Sequence, residues 1–275
     1  MTDRAIAFLG GGRMAEALVA GLLRSGGRST DEILMTCRRE ERAMELTERH
    51  GVTATLDNAE ACRFAKVLVL MAKPQDFEIL LEQIADHVTT EHLVISFAAG
   101  IRTSFVEQRL APDVHVVRVM SNVPVMVDEA MSVIAAGHHA DDKHLAIGAE
   151  LLGYVGKVLR LEERYLDAVT ATSGSGPAYF FLLAEAMIEA CILLGLSRDV
   201  ASQLIIQTML GSAKMLRDTG THPVELREMV TSPGGTTIEA IRHLEEAGVR
   251  AAFLNAIDAA RKRSEELARG GDEDH

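Results

Sequence analysis

Cysteine is scarce. The 275 residues hold three, Cys37, Cys62 and Cys191, far apart and with no CxxC pair. An odd, scattered set of this kind fits a reducing compartment and no structural zinc. A basic surplus is lacking too: the net charge is −12 and the pI about 5.3. That balance argues against nucleic acid or an anionic membrane as the main partner, while a locally positive pocket can still hold a small anion. No internal repeat and no low-complexity linker occurs. The opening, MTDRAIAFLG, places Asp3 and Arg4 before a strand-like run, so no secretory signal is read there and a cytoplasmic location is expected. His138, His139 and His144 adjoin two acids in GHHADDKH, but in a loop entering a helix they make no metal site, and none is expected. One apolar run, AYFFLLAEAMIEACILLGL at 178–196, approaches the length of a membrane span. Glu185 and Glu189 sit one helical turn apart in its middle, where each would cost about 2–3 kcal/mol in lipid. It reads as a buried helix with one polar stripe, and no membrane partner is expected.

What is present falls into two halves. From residue 5 to about 160, short β-branched runs alternate with amphipathic stretches. The strand candidates are 5–10, 32–37, 66–72, 92–98, 113–120, 131–137 and 156–161, and the helix candidates include 13–25, 40–49, 75–87 and 142–153. Several strands are apolar throughout, as when helices cover both faces of a sheet. This alternation predicts a Rossmann-type, doubly wound α/β domain over 1–162. Beyond it, apolar positions recur at helical spacing over 163–171, 178–195, 199–218, 223–230, 236–247 and 249–268, separated by SGSGP, GLSRD, TGTHP and TSPGG. This predicts an all-helical domain over 163–275. Its helices are apolar over arcs wider than a small bundle buries, which a second subunit would cover. The final ARGGDEDH has no pattern and reads as a frayed tail. LTERH at 46–50 reads as a solvated helix face, and Met14, Met71, Met120 and Met126 as core or pocket filling.

Two glycine loops carry the chemistry. FLGGGRMAEAL sets Gly10-x-Gly12-x-x-Ala15 between the first strand and the first helix. Gly10 permits a sharp turn, Gly12 lets a pyrophosphate approach the backbone, and Ala15 allows close packing on the sheet. A ligand-free tight turn is the competing reading. After the second strand, MTCRRE offers Thr36, Arg38 and Arg39 where an acid would hold the ribose hydroxyls of NAD. Arginine there suits the 2′-phosphate of NADP, or is ordinary surface charge. LMAKPQDF places Lys73 and Pro74 just past a buried strand, and SFAAGI and RVMSNVP also end strands. Each of these is either crevice lining or a plain strand exit. TSGSGPAYFF and TSPGGTTIEA join hydroxyls and glycines at helix starts. Capping explains the first. The second has more than a cap requires, and its N–H groups could cradle a carboxylate or a phosphate.

Together FLGGGRMAEAL, MAKP, SFAAGI, RVMSNVP, GSGPAY and above all MVTSPGGTTIEAI make the chain, from about 5 to 268, resemble the Δ1-pyrroline-5-carboxylate reductases, which complete proline synthesis. The resemblance implies an NADPH-binding N-terminal domain, with NADH as the alternative donor. It also implies a helical domain that interlocks in a homodimer, which in the family often assembles further to decamers. It assigns Gly10, Gly12, Met14 and Ala15 to the pyrophosphate, Arg38 to the 2′-phosphate and Asn58 to the adenosine. Ala72, Lys73, Pro74, Ala98, Ala99 and Gly100 go to the nicotinamide half, where the RVMSNVP turn adds Asn122. Ser232, Gly234, Gly235, Thr236 and Thr237 from the neighbouring subunit are assigned to the substrate carboxylate, with Thr237 facing the ring nitrogen. Two departures stand out. Arg13 replaces the family's usual Asn or Gln and could add a pyrophosphate contact or point to solvent. Ser121 replaces a frequent Pro and should loosen the turn into Asn122.

The chemistry expected is hydride transfer to a C=N bond that arrives protonated, so no strong side-chain acid is required. Two rivals are a β-hydroxyacid-dehydrogenase-like enzyme and a non-catalytic NADP-binding protein. The first uses a helix lysine followed one turn later by asparagine, but here Asp218 follows Lys214.

Overall fold

A computed structural model describes the backbone of residues 4–273 and the side chains of 4–268. Its centre is an eight-stranded sheet: β1 (Ile6–Leu9), β2 (Ile33–Thr36), β3 (Thr53–Thr55), β4 (Val67–Leu70), β5 (Leu93–Ser96), β6 (His115–Met120), β7 (Ala130–Ala136) and β8 (Gly156–Arg160), in the order β3-β2-β1-β4-β5-β6-β7-β8. All neighbours pair in parallel except β6 and β7. The chain therefore reverses direction across the sheet at β1, between β2 and β4, which opens a crevice at the carboxyl ends of those strands.

Helices cover both faces. Six flank the sheet: α1 (Arg13–Arg24), α2 (Glu40–His50), α3 (Asn58–Phe64), α4 (Pro74–Ile84), α5 (Thr103–Glu107) and α6 (Asp142–Gly153). Alternate residues of each strand supply the two cores. Ile6 and Phe8 join Leu18, Leu22, Leu46 and Leu152 on one side; Ala7 and Leu9 join Phe77, Leu81, Ile84 and Val106 on the other. The seven strands expected from the sequence all form, six of them trimmed by one to three residues and the one at 131–137 shifted by one to 130–136. Edge strand β3, with α3 and α5, went unread because TAT, NAEACRF and TSFVE are too short to show a period.

After β8 come α7 (Leu166–Val169), α8 (Gly176–Leu193), α9 (Arg198–Thr219), α10 (Pro223–Met229), α11 (Thr236–Glu246) and α12 (Val249–Glu273). The predicted tail at 268–273 is helical backbone; 274–275 lie outside the described residues. Two compact units emerge, 1–175 with 260–275, and 176–259. The first extends past the expected boundary at 162 because Leu166 and Val169 of α7 pack on Val133 and Ala135 of β7. Its α12 stretch is tied down where the Ser264 hydroxyl donates to Asp167 at 2.7 Å.

In the second unit α8 packs against α9, and of residues 176–259 only Gly176, Ala201 and Ile205 are buried. Helix α8 is thus not buried within its own chain, contrary to the sequence reading: Phe180 is 61% exposed and Phe181 65%. It remains the one helical segment, Glu163–Leu193, long and apolar enough to cross a membrane by length and composition among the described residues. SGSGP does not open a separate capped helix either. Thr170–Gly174 form a π-helical turn closed by Ser175 N donating to Thr170 O at 2.8 Å. The hydroxyls of Thr170, Thr172 and Ser173 bond back to the carbonyls of Leu166, Ala168 and Val169.

An ion pair between a buried arginine and a half-buried glutamate braces the first unit. Arg118 of β6 is 5% exposed, and its Nη1 lies 3.2 Å from Oε1 of Glu163. The same carboxylate accepts the backbone N–H and the hydroxyl of Thr103, each at 2.8 Å, just beyond the SFAAGI turn. Truncating one partner of a buried pair strands the other charge, which costs about 3–5 kcal/mol, whereas replacing both with apolar groups is often neutral. Glu163→Ala is expected to lower the unfolding midpoint strongly in calorimetry. Arg118→Met combined with Glu163→Leu is expected to recover most of the loss.

Candidate functional site

The carboxyl ends of β1, β2, β4, β5 and β6 share one edge of the sheet, and the first-unit candidates gather there. At the end of β1 the chain passes so close to β4 that a Cβ on Gly10, whose φ is +116°, would lie 2.8 Å from the carbonyl carbon of Met71. Only glycine fits. Gly10 N and Gly11 N donate to Thr36 O at 3.3 and 2.6 Å, which fastens the turn to β2 as well. At Gly12 a Cβ would meet nothing within 4 Å, so the backbone there faces open space. Gly12 is the N-cap of α1, and no side chain caps that helix. Its first N–H groups are aimed outward and suit an anion. Ala15 is fully buried beneath the turn, and Met14 and Met71 line the adjoining core.

The acid in this helix's first turn is neutralised. Glu16 lies 2.6 Å from Nη1 of Arg49 and 3.0 Å from Nε2 of His50, and it also pairs with Arg42. Arg42 additionally donates through Nε to Gly11 O at 3.0 Å. Burial pushes the Glu16 carboxyl up, but hydrogen bonds from Arg42, His50 and Arg49 outweigh it and hold the group down at about 2. LTERH is therefore not simply a solvated face, since its last two residues bind Glu16 in α1.

Around the rim stand cations. Arg13, at the first position of α1, is exposed and has no side-chain partner among the described residues. Arg38 is exposed and pairs with Asp76 at 3.0 Å. Lys73 is the exposed N-cap of α4, with Pro74 at its first position and Ala72 half-buried before it. Asn58 sits behind the rim with its amide engaged: Oδ1 accepts the Thr36 hydroxyl at 2.6 Å, and Nδ2 donates to Gln83 at 2.7 Å. At the end of β5, Ala98 is buried and Ala99 exposed, and Gly100 turns with φ +76° against the backbone of Leu267 and Ala268.

RVMSNVP and TSGSGP, distant in sequence, meet here. Nδ2 of Asn122 donates to Ser173 O in the π turn at 3.1 Å, and its Oδ1 accepts from Met131 N at 2.9 Å. The Asn122 side chain thus faces the protein interior. Ser121 does not leave the turn loose, because its hydroxyl lies 2.8 Å from that of the fully buried Ser132 in β7. Met120 reaches the π turn, whereas Met126 is 63% exposed and fills no core. The histidine loop is structural: Asp141 caps α6 and closes a capping box with His144, which stacks on His115. No metal-ligating cluster occurs among the described residues.

The second unit holds the other glycine loop. Thr231 Oγ1 donates to Arg227 O at 2.6 Å, and Gly235 N to Ser232 O at 3.1 Å; between them Gly234 turns with φ +69°. Gly235 is the N-cap of α11, with φ −81° and ψ 172° and no side-chain cap. These angles nearly repeat those of Gly12, φ −78° and ψ −179°. By contrast α9, α10, α3 and α6 are capped by Ser197, His222, Asp57 and Asp141. The hydroxyls of TSPGGTT therefore do not close the helix start. Ser232 is exposed, Thr236 exposed and Thr237 half-buried.

The depressed Glu16 carboxyl fixes the sign of an acid effect. Its stabilisation is complete above the unfolded value of 4.5 and disappears as pH falls toward about 2. Glu16→Gln is expected to be less stable than the parent chain at neutral pH by about 1–3 kcal/mol, and the gap should close in urea titrations as pH falls through that window.

The comparisons with known proteins agree with this geometry. Residues 163–267 match the family model for pyrroline-5-carboxylate reductase dimerisation, and residues 5–100 that for NADP oxidoreductase, coenzyme F420-dependent. The chain is 42% identical to the pyrroline-5-carboxylate reductase of Methanosarcina acetivorans, with 98% of this chain and 100% of that one covered. The structure of a pyrroline-5-carboxylate reductase from Coxiella burnetii superposes with a TM-score of 0.91 at 37% identity, covering 97% and 99% of the two chains. That of the Plasmodium falciparum pyrroline carboxylate reductase with NADP bound does so at 0.88 and 25% identity, over 98% and 99%. With the glycine turn, the uncapped α11 and relatives aligned along nearly its whole length, the chain belongs to the pyrroline-5-carboxylate reductase family.

Proposed function

We infer that this chain reduces the C=N bond of Δ1-pyrroline-5-carboxylate to give L-proline, with NADPH as donor and NADH as the alternative. The observation that carries the reading is the pair of uncapped, glycine-led helix starts at Gly12 and Gly235 in a chain of this family. Two such termini suit two anionic groups, a cofactor pyrophosphate and a substrate carboxylate. The first reading goes to Gly12 because of the cations at the rim, Arg13, Arg38 and Lys73. The second goes to the loop Ser232–Thr237.

The nicotinamide cofactor supplies the hydride when bound. The chain's own residues then have three tasks. Gly10, Gly12, Met14 and Ala15 form the turn that receives the pyrophosphate, and Arg38 reads a 2′-phosphate. Residues 72–74 and 98–100 shape the crevice edge on the nicotinamide side. Asn58 and Asn122, with their amides engaged by the protein, act by holding the rim in place. Ser232, Gly234, Gly235 and Thr236 present donors to the carboxylate. In this reading Thr237 hydrogen-bonds the imine nitrogen as its positive charge is lost. No side-chain acid is demanded, because the imine arrives protonated.

In this reading residues 1–162 form the cofactor domain and 163–275 the dimerisation and substrate domain. The loop of one subunit completes the crevice of its partner, and dimers can assemble further to decamers. Free Cys37, Cys62 and Cys191 support work in the reducing cytoplasm, and this reading involves no membrane partner.

Thr237→Ala is expected to lower kcat and raise KM, cutting kcat/KM for the imine by roughly 10- to 100-fold, the size of one hydrogen bond to a charged group. Unchanged kinetics would remove the role. Imine-dependent NADPH consumption, set against NADP reduction with a β-hydroxy acid, separates this function from both rivals. No turnover with the imine would overturn it.

A further inference from the structure

Arg38 and Asp76 reach each other from opposite sides of the glycine turn. Arg38 follows β2, Asp76 is the third residue of α4 beyond β4, and β1 runs between those two strands. Nη1 of Arg38 lies 3.0 Å from Oδ2 of Asp76; the arginine side chain is 77% exposed and the aspartate 29%. The pair thus bridges the two rims of the crevice above the first helix start. Resting on the cofactor reading above, we propose that Asp76 is a specificity-determining residue. Its carboxylate competes with a nucleotide 2′-phosphate for the Arg38 guanidinium, and so sets how strongly the chain discriminates between a phosphorylated and an unphosphorylated adenosine ribose.

The physical grounds are simple. A guanidinium offers a planar fork that suits either a carboxylate or a phosphate, and whichever holds it excludes the other from the same edge. A 2′-phosphate carries close to two negative charges and would meet the Asp76 carboxylate within a few ångströms if that carboxylate stayed in place. Asp76 must therefore give up Arg38, and repulsion adds to the cost. An unphosphorylated ribose makes no such demand and leaves the ion pair whole. Because the arginine is well exposed, the pair is weak, so the phosphate is penalised and not refused. A tuning effect of several-fold follows, superimposed on the preference that Arg38 itself creates.

The test needs no turnover. Calorimetric titration of the full-length protein with adenosine 2′,5′-bisphosphate and, separately, with AMP reads the two ribose states directly. For Asp76→Asn the bisphosphate is expected to bind about 3- to 10-fold tighter, with AMP unchanged within about twofold. Arg38→Gln should weaken the bisphosphate alone, and adding Asp76→Asn to Arg38→Gln should then give a clearly smaller gain than in the parent, since only the direct repulsion is left to relieve. A role of Asp76 confined to stabilising the start of α4 would move both nucleotides together or move only the unfolding midpoint. Either of those results, or a gain just as large without Arg38, overturns the proposal. If the parent protein binds neither nucleotide, the cofactor reading itself fails; if it binds both and Asp76→Asn has no selective effect, only the role of Asp76 does.

Discussion

The close contact of β1 with β4 at Gly10 is the constraint from which the rest of the crevice is laid out. A backbone approach that leaves no room for a Cβ fixes where the chain leaves the first strand. Two N–H groups pointing to Thr36 O fix the same turn against β2. From Thr36 a hydroxyl runs to Asn58 in α3, and from Asn58 an amide runs to Gln83 in α4. The two strands flanking β1 are thereby held in register with the helix start between them. The Glu16 cluster acts on the other side of the turn. It offsets the negative charge of Glu16 in the first turn of the uncapped helix α1, and through Arg42 it also grips Gly11. Electrostatics and geometry serve one end here, because the groups that neutralise the acid are those that immobilise the loop.

The second loop repeats the device with different surroundings. Gly235 reaches the same extended backbone as Gly12, and in both the side-chain cap found on α3, α6, α9 and α10 is missing. At Gly12 the surroundings are arginines and a lysine, as a polyanion requires. At Gly235 they are hydroxyls, which suit a single carboxylate and a small polar ring. The difference in neighbours, more than in backbone, separates the two anion-binding tasks proposed for these loops.

Much of this was legible in the sequence, for identifiable reasons. The doubly wound half announces itself through fully apolar strands, and the helix at 142–153 was bounded to the residue because Asp141 caps it. The glycine turn was legible because strand, glycines and helix are contiguous. Contacts made across long sequence distances were not. Nothing in LTERH shows that Arg49 and His50 serve Glu16, nothing in RVMSNVP shows that Asn122 holds the Ser173 carbonyl in the π turn, and no local rule pairs Ser121 with Ser132. Segments of three to seven residues, such as β3, α3 and α5, carry too few positions for a period. Helix α8, read as buried, is not buried within the single chain; the expectation that a second subunit covers the helical half accounts for its exposure.

That last feature has a kinetic side. With only Gly176, Ala201 and Ile205 buried between residues 176 and 259, the helical unit gains little by collapsing on itself, and most of its apolar surface must wait for another copy. The region matches a dimerisation model, so its completion is a bimolecular event whose speed scales with the concentration of chains. The sheet half has its own two buried cores, whereas the helical half has a settled environment only once a partner arrives. Until then α8 is a sticky surface. Slow synthesis at low abundance would lengthen the exposure, while several chains emerging close together would shorten it.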